Sequence, residues 1–297
     1  MNFRTEYKPA RREIILDPRK PVVLVGSCFS QNIASKMEKC DWQSVNPCGT
    51  LYNPLSISIA IDLMCKEDDG VKEFEKTLFH SGGLWNSHLF DSSFSAIAKE
   101  DCIEEFCHRQ QLLLDALGRG GVLIVTFGTS ICYFLSEDER PVGNCHKEPQ
   151  NLFYRRRLSV EEIVAGWNER IKELQVRFPG IKIIFTVSPV RHMKDGFEGN
   201  TRSKAILCLA MEEICRDNDS CIYFPAFEIM NDDLRDYRFY ASDLVHPSEE
   251  AIDYIWEKFK AEFIDSEGER ILADGERKYK TSHHRGKTGA LGKLLHP

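Results

Sequence analysis

Residues 21–29 read PVVLVGSCF, and a helix-like stretch follows over residues 30–37. The short run of valine and leucine is typical of a buried strand, and Gly26 ends it. In α/β proteins, reactive groups lie where a parallel strand ends and a helix begins. This segment therefore predicts that two small nucleophilic side chains, Ser27 and Cys28, lie at the carboxyl edge of a sheet beside a helix N-terminus.

A second chemical signature lies near the other end of the sequence, where residues 242–248 read SDLVHPS just before an amphipathic helix. Asp243 and His246 are separated by two residues, so the carboxylate can hold one imidazole nitrogen while the other nitrogen faces a nucleophile. The pair can join Cys28 or Ser27 in one site only where the sheet brings both ends of the chain together. A doubly wound sheet can do this.

The segments between these two signatures alternate between strand and helix patterns. Strands are predicted at residues 22–25, 122–127, 181–187 and 221–224. Helices are predicted at residues 30–39, 55–65, 102–117, 160–178, 202–216 and 249–263. Because such alternation implies right-handed crossovers, we predict an α/β fold, a three-layer α/β/α sandwich around a mainly parallel sheet.

Residues 1–264 are predicted to form a single domain, since α/β folds of about 250 residues are common. Two insertions, near residues 66–101 and 136–157, interrupt the pattern and carry polar and aromatic residues suited to the walls of a pocket. Residues 265–297 lose apolar periodicity, and no acidic residue occurs from Arg277 onward. We therefore expect a basic, loosely attached C-terminal tail.

The composition narrows the class of protein. The formal net charge of −7 argues against nucleic acid as a partner. No stretch is apolar enough to cross a bilayer, and residues 1–20 lack the apolar core of a secretory signal. The eleven cysteines are scattered and odd in number, unlike a disulfide framework. We expect a cytoplasmic protein with neither a membrane nor a nucleic-acid partner, and the oligomeric state stays open.

Two further glycine turns are of interest, one after the predicted strand at residues 122–127 and one where a second strand should meet its loop. One strand leads into Gly128, Thr129 and Ser130, whose amides and hydroxyls can donate to the oxyanion that develops during acyl transfer. Gly49, within the segment NPCGT at residues 46–50, can turn its amide toward the same edge. A plain turn explains either glycine equally well, and the sequence leaves both interpretations open.

The motif GSCFS, residues 26–30, opens a resemblance that covers roughly residues 20–262. The other segments that carry it are residues 46–54, 128–129, 144–147, 185–192, 237–240 and 243–247. In these segments the sequence resembles the GSCFA-domain family, a bacterial group placed among the SGNH (GDSL-type) hydrolases. The resemblance implies a flavodoxin-like sheet with a shallow site at the strand ends and acyl-ester chemistry, with Asp243 as the orienting acid and His246 as the base.

The resemblance leaves two candidates for the nucleophile. When residues 26–29 are laid over the GDSL pattern, Cys28 takes the place of the nucleophilic serine and Ser27 takes that of the aspartate. A cysteine beside a histidine at a helix N-terminus is readily activated, which favours Cys28. Serine is the usual nucleophile of the superfamily, so Ser27 stays a candidate.

One element of the superfamily pattern is replaced in this chain. The third block of that pattern supplies an asparagine that donates a hydrogen bond to the oxyanion, whereas this chain reads GTS there. Another donor must take over that role. The candidates are Thr129, Ser130, Asn144, His146 and His88, and each of the last three is also explained as a pocket wall or a surface residue.

Together these features predict an esterase or deacylase that acts on an O-acyl ester of a small molecule or glycan. Cys28 or Ser27 attacks the carbonyl, His246 transfers the proton, and Asp243 fixes the imidazole. No metal and no organic cofactor is expected. Two alternatives remain: an O-acyltransferase that modifies a carbohydrate, and a catalytically silent binding module on the same fold.

Overall fold

The structure is a computed structural model that describes residues 4–10, 14–66 and 68–291. The strands in these residues are β1 (Val22–Gly26), β2 (Ser44–Val45), β3 (Leu78–Ser81), β4 (Leu84–Ser87), β5 (Val122–Phe127), β6 (Ile131–Leu135), β7 (Pro141–Val142), β8 (Phe153–Arg157), β9 (Lys182–Val187) and β10 (Cys221–Phe224). The α-helices are α1 (Cys28–Lys39), α2 (Pro54–Cys65), α3 (Asp68–Glu75), α4 (Lys99–Gly118), α5 (Val160–Arg177), α6 (Gly196–Asp217), α7 (Ala226–Glu228), α8 (Glu249–Phe263) and α9 (Ser266–Leu291). Within the described part of the chain, none of the helices is both long enough and apolar enough to span a bilayer.

The central sheet contains five parallel strands in the order β2-β1-β5-β9-β10. Counted in chain order within this sheet, the strand order is 2-1-3-4-5, which is the order of flavodoxin-like sheets. The order reverses between β1 and β5, and in such sheets ligands bind outside the carboxyl ends of the strands at this switch point. The predicted parallel sheet is confirmed.

The two faces of the sheet are covered by different helices. Val23 and Val25 face one side and pack in the core that includes residues of α2, α4, α5 and α6. Val22 and Leu24 face the other side and pack with residues of α1 and α8. Because successive side chains of a strand point to opposite faces, β1 contributes to both cores and is buried throughout. The predicted three-layer α/β/α arrangement is confirmed.

The predicted helices occur, with ends that differ by at most three residues, except for α6. α6 begins at Gly196, whereas the sequence pattern predicts a start at residue 202. The first turns read GFEGNT, and glycine and asparagine are poor helix formers. Apolar periodicity alone could therefore not detect this part of the helix.

The two predicted insertions form small antiparallel sheets of their own. Residues 66–101 contain the hairpin of β3 and β4, whose turn residues Gly82 and Gly83 both have positive φ, as a tight two-residue hairpin turn requires. Residues 136–157 contain β7 and β8, which pair with β6 on either side. The second insertion therefore forms a small sheet together with β6, the strand that follows β5 in the chain.

The C-terminal segment differs from the predicted loose tail. It forms α9, and its buried residues Gly268, Leu272 and Gly275 recur at helical spacing. Gly275 approaches the carbonyl oxygen of Cys40 so closely that an added Cβ would lie 1.9 Å from it. Because two of the three contact positions are glycines, a hydrophobic pattern does not reveal this packing face. Residues 292–297 of the predicted tail lie outside the described residues.

We predict that Gly26→Ala destabilises the fold by about 3 kcal/mol or more, because its φ of +133° is strained for alanine and an added Cβ would lie 2.1 Å from the carbonyl oxygen of Thr126. Gly166→Ala on the exposed face of α5 is the matched control. An added Cβ there meets nothing within 4 Å, so alanine should stabilise the helix by about 0.5–1 kcal/mol. Denaturant unfolding measures both, and equal stability of the two variants would contradict the prediction.

Candidate active site

A cavity of about 430 Å³ lies at the carboxyl ends of β1, β5 and β9. Its wall includes Cys28 from the start of α1 and His246 from the loop before α8. The structure therefore brings the two sequence signatures from opposite ends of the chain into one cavity. The second insertion contributes Val142 and Asn144 to the same wall, as expected for a pocket wall.

Cys28 is the first residue of α1, and its partly exposed side chain lines the cavity. Its Sγ lies 3.3 Å from the hydroxyl of Tyr52. Burial raises the pKa of Tyr52, and the hydrogen bond to Cys28 raises it further. Tyr52 therefore keeps its proton at neutral pH and can donate it in a hydrogen bond to Cys28. Tyr52 could not be singled out from the sequence, because a single aromatic residue in a loop gives no specific signal.

Ser27 has a different role from its neighbour. It is only 1 % exposed, and its Oγ accepts a hydrogen bond from the amide of Phe29 at 3.3 Å. This is the geometry of a helix N-cap, which satisfies one of the unpaired amides in the first turn of α1. Ser27 touches the cavity wall, but its hydroxyl is engaged in capping. The geometry therefore favours Cys28 over Ser27 as the reactive group.

The turn that carries Asp243 and His246 is built around the carboxylate. Oδ2 of Asp243 accepts a hydrogen bond from Nδ1 of His246 at 2.7 Å, and Oδ1 accepts from the amides of Val245 and His246 at 2.9 and 3.0 Å. These bonds lower the pKa of Asp243 to about 2, with the His246 amide as the largest contribution. The carboxylate is therefore charged at neutral pH, and Nε2 of His246 is left for other partners.

Arg191 ties this turn to the loop that follows β9. Its amide donates to the carbonyl of Val245 at 3.2 Å, and its Nη1 donates to the carbonyl of Leu244 at 3.3 Å. The guanidinium also lies 4.0 Å from the centre of the Tyr240 ring. Leu244 itself has a φ of +58°, a left-handed conformation that the turn imposes. Arg191 therefore helps to hold His246 beside the sheet.

The GSCFA family model matches residues 21–259. The chain belongs to the GSCFA family. The match begins just before β1 and ends within α8, so it contains Cys28, Asp243 and His246. A search of curated proteins finds no match.

The GTS turn of this GSCFA protein stabilises the loop after β5. The amides of Gly128 and Thr129 both donate to the carbonyl of Tyr52, at 2.7 and 3.0 Å. The amide and hydroxyl of Ser130 both donate to Oγ of Ser203, at 2.7 and 3.1 Å, and Ser130 is fully buried. Thr129 lines the cavity, whereas Ser130 lies behind the wall. These predicted oxyanion donors are thus already engaged in loop bonds.

Three other predicted site residues lie away from the cavity of the GSCFA protein. Gly49 faces the carboxylate of Asp91 in a separate groove. His88 pairs with Glu148 through Nε2 at 3.1 Å. Nε2 of His146 lies 2.8 and 2.9 Å from two backbone carbonyls of the first insertion. The two histidines connect the insertions to each other, so the polar character that made them candidates serves folding.

Asn144, like Thr129, is a predicted oxyanion donor that the structure places in the cavity wall. Its Oδ1 accepts a hydrogen bond from the amide of His146 at 2.9 Å, which leaves Nδ2 as a donor. The amide of Cys28 is a second donor, since it belongs to the unpaired first turn of α1 and bonds to no other described residue. Among the described residues these two N–H groups form no other hydrogen bond, so both are available as donors at the cavity wall.

His192 lies in the cavity wall, and Lys204 is buried next to the ends of β5 and β9. Nζ of Lys204 is buried and donates to the carbonyls of Gly128 and Ser188, at 2.7 and 2.6 Å, which ties the ends of β5 and β9 together. Burial lowers the pKa of Lys204 to about 7. His192 lines the cavity edge-on to Tyr52, and its buried Nε2 has no hydrogen-bond partner in the part of the chain that the structure describes.

The described residues contain no group of three or more His, Cys, Asp or Glu side chains that could hold a metal ion. The cavity wall of the GSCFA protein includes the thiol of Cys28, the imidazole of His246 and the amide of Asn144. Such groups suit nucleophilic attack on a carbonyl followed by proton transfer.

The pH dependence of stability should report on His192. Burial, aided by the charge of Lys204, lowers the pKa of His192 from 6.5 to about 4. The unfolded chain binds a proton at His192 near pH 6.5 and the folded chain only near pH 4, so the free energy of unfolding falls as the pH decreases through this window. Between pH 7 and pH 5, the free energy of unfolding of His192→Phe should therefore fall by about 1–2 kcal/mol less than that of the wild type.

Chemical denaturation at both pH values measures this difference. His108→Gln on the exposed face of α4 is the control, and it should retain the wild-type loss. The same loss in His192→Phe as in the wild type would show that His192 does not titrate in the predicted way.

Proposed function

We propose that this GSCFA protein is an SGNH-type esterase or deacylase that hydrolyses O-acyl esters, with Cys28 as the nucleophile. The observation that carries the proposal is that Cys28 and His246 line one cavity at the switch point of the sheet, with Asp243 bound to Nδ1 of His246. This is the arrangement of nucleophile, base and orienting acid that covalent acyl transfer needs.

In the first half of the reaction, Sγ of Cys28 attacks the carbonyl carbon of the ester while Nε2 of His246 accepts the thiol proton. The amide of Cys28 and Nδ2 of Asn144 donate hydrogen bonds to the resulting oxyanion. The tetrahedral intermediate then expels the alcohol, which takes the proton from His246. A thioester on Cys28 remains.

In the second half, His246 accepts a proton from a water molecule that attacks the thioester carbonyl. The carbon–sulfur bond breaks, the carboxylic acid leaves, and His246 returns its proton to the thiolate, which restores the thiol of Cys28. Asp243 stays ionised throughout, because its low pKa keeps it charged at neutral pH. Its role is to hold Nδ1–H of His246, which directs Nε2 to the reacting groups.

We predict that Cys28→Ala abolishes the burst of acyl-enzyme on a short-chain aryl ester and lowers kcat/KM at least about 100-fold. Ser27→Ala should keep the burst and lose about 1 kcal/mol of stability, because it removes only the helix cap. Stopped-flow absorbance measures the burst, and mass spectrometry locates the acyl group. Cys107→Ala, which removes an exposed thiol of α4, is the control.

Loss of the burst in Ser27→Ala but not in Cys28→Ala would assign the reaction to serine. A protein without any burst or turnover would instead be a binding module, and the proposed function would be wrong.

Asp243→Asn should lower kcat about 100-fold or more with little change in KM, because the amide no longer holds His246 in the tautomer that accepts a proton at Nε2. Asp236→Asn is the matched control, since Asp236 also caps a turn by accepting a backbone amide hydrogen bond, from Arg238. Steady-state kinetics on the same ester measures both variants. An Asp243→Asn enzyme with wild-type kcat would exclude the proposed role.

A further inference from the structure

Positive side chains outnumber negative ones in the cavity wall, although the chain as a whole has a net charge of −7. Arg155, Arg191 and Lys194 line the cavity, against the single acidic residue Asp195. Asp195 is paired with Arg155. Among the residues that the structure describes, Arg191 and Lys194 form no salt bridge with an acidic side chain. The cavity therefore carries two positive charges that are not neutralised by the protein.

Neutral groups hold both cations in position. Nζ of Lys194 donates to the hydroxyl of Tyr133 on β6 at 2.7 Å. Arg191 stacks on Tyr240 and donates to the carbonyl of Leu244. These partners restrict the side chains without cancelling their charge. Both cations can therefore bind an external anion with little further ordering.

The position of Arg191 connects these charges to the reacting groups. Its amide bonds to the carbonyl of Val245, the residue before His246, and both Arg191 and Lys194 line the cavity that contains Cys28. A group bound by the two cations therefore lies in the same cavity as the attacked carbonyl.

We propose that this cavity selects an ester that carries an anionic group, a carboxylate or a phosphate, bound by Lys194 and Arg191. An ammonium binds such groups as a point charge, and a guanidinium binds them through paired N–H donors. The inference rests on the proposed function for the ester, and on the two unpaired cations for the anion.

Three acetyl esters of similar shape test the charge preference: neutral 4-acetoxybenzamide, 4-acetoxybenzoate and 4-acetoxyphenyl phosphate. After correction for spontaneous hydrolysis, kcat/KM for at least one anionic ester should exceed that of the neutral ester about 10-fold at low salt. The preference should decrease with ionic strength. The two anionic esters distinguish carboxylate from phosphate, and equal values for all three esters would overturn the proposal.

Variants of Lys194 locate the anion site. Lys194→Gln should reduce the preference about 5- to 10-fold through KM, whereas Lys194→Arg should retain most of it because the charge remains. Lys172→Gln, which removes an exposed cation from α5, is the control and should retain the preference. An undiminished preference in Lys194→Gln would show that the proposed site does not bind the anion.

A binding measurement separates this inference from the proposed function. Cys28→Ala lacks the nucleophile, so calorimetric titration can compare 4-acetoxyphenyl phosphate, 4-acetoxybenzoate and the neutral ester without turnover. Tighter binding of an anionic ester supports the anion site even if the wild-type protein hydrolyses no ester. Equal affinities overturn the anion site even if hydrolysis occurs.

Discussion

The close approach of β1 to β5 at Gly26 is the constraint on which the rest of the site depends. The carbonyl of Thr126 occupies the space that a side chain at Gly26 would need, and it also accepts the amide of Ser27 at 3.2 Å. The chain therefore leaves the sheet at the switch point in one direction, and α1 begins at once. Cys28 becomes the first helical residue, with its thiol at the carboxyl edge of the sheet.

Buried polar bonds then fix the loops that surround this edge. Lys204 is the clearest case, because an ammonium inside a protein is costly unless its hydrogen bonds are satisfied, and its two bonds to the carbonyls of Gly128 and Ser188 join neighbouring strand ends. The carbonyl of Tyr52 accepts hydrogen bonds from the amides of Gly128 and Thr129, in the loop after β5. These bonds hold the backbone of Tyr52 in place, and the Tyr52 hydroxyl lies 3.3 Å from Sγ of Cys28.

The layers, four of the five strands of the central sheet and the two halves of the candidate site could be predicted from sequence, because burial periodicity and the spacing of Asp243 and His246 are local properties. The partners of polar loop residues could not. Ser130 and His146 have the chemistry of oxyanion donors, yet Ser203 and backbone carbonyls bind them. Arg191 and Tyr52 enter the cavity through tertiary contacts that have no periodic signal, and the glycines of α9 hide its packing face from any hydrophobic pattern.

The small antiparallel sheet of β6, β7 and β8 has a consequence for how the cavity of this fold can vary. Cys28 and His246 stand on the central sheet and its loops, whereas Tyr133, Asn144 and Arg155 reach the cavity from this separate sheet. Part of the cavity wall is thus built by a sheet separate from the one that positions Cys28 and His246. A change in this small sheet would therefore reshape that part of the cavity wall while Cys28 and His246 stay in place.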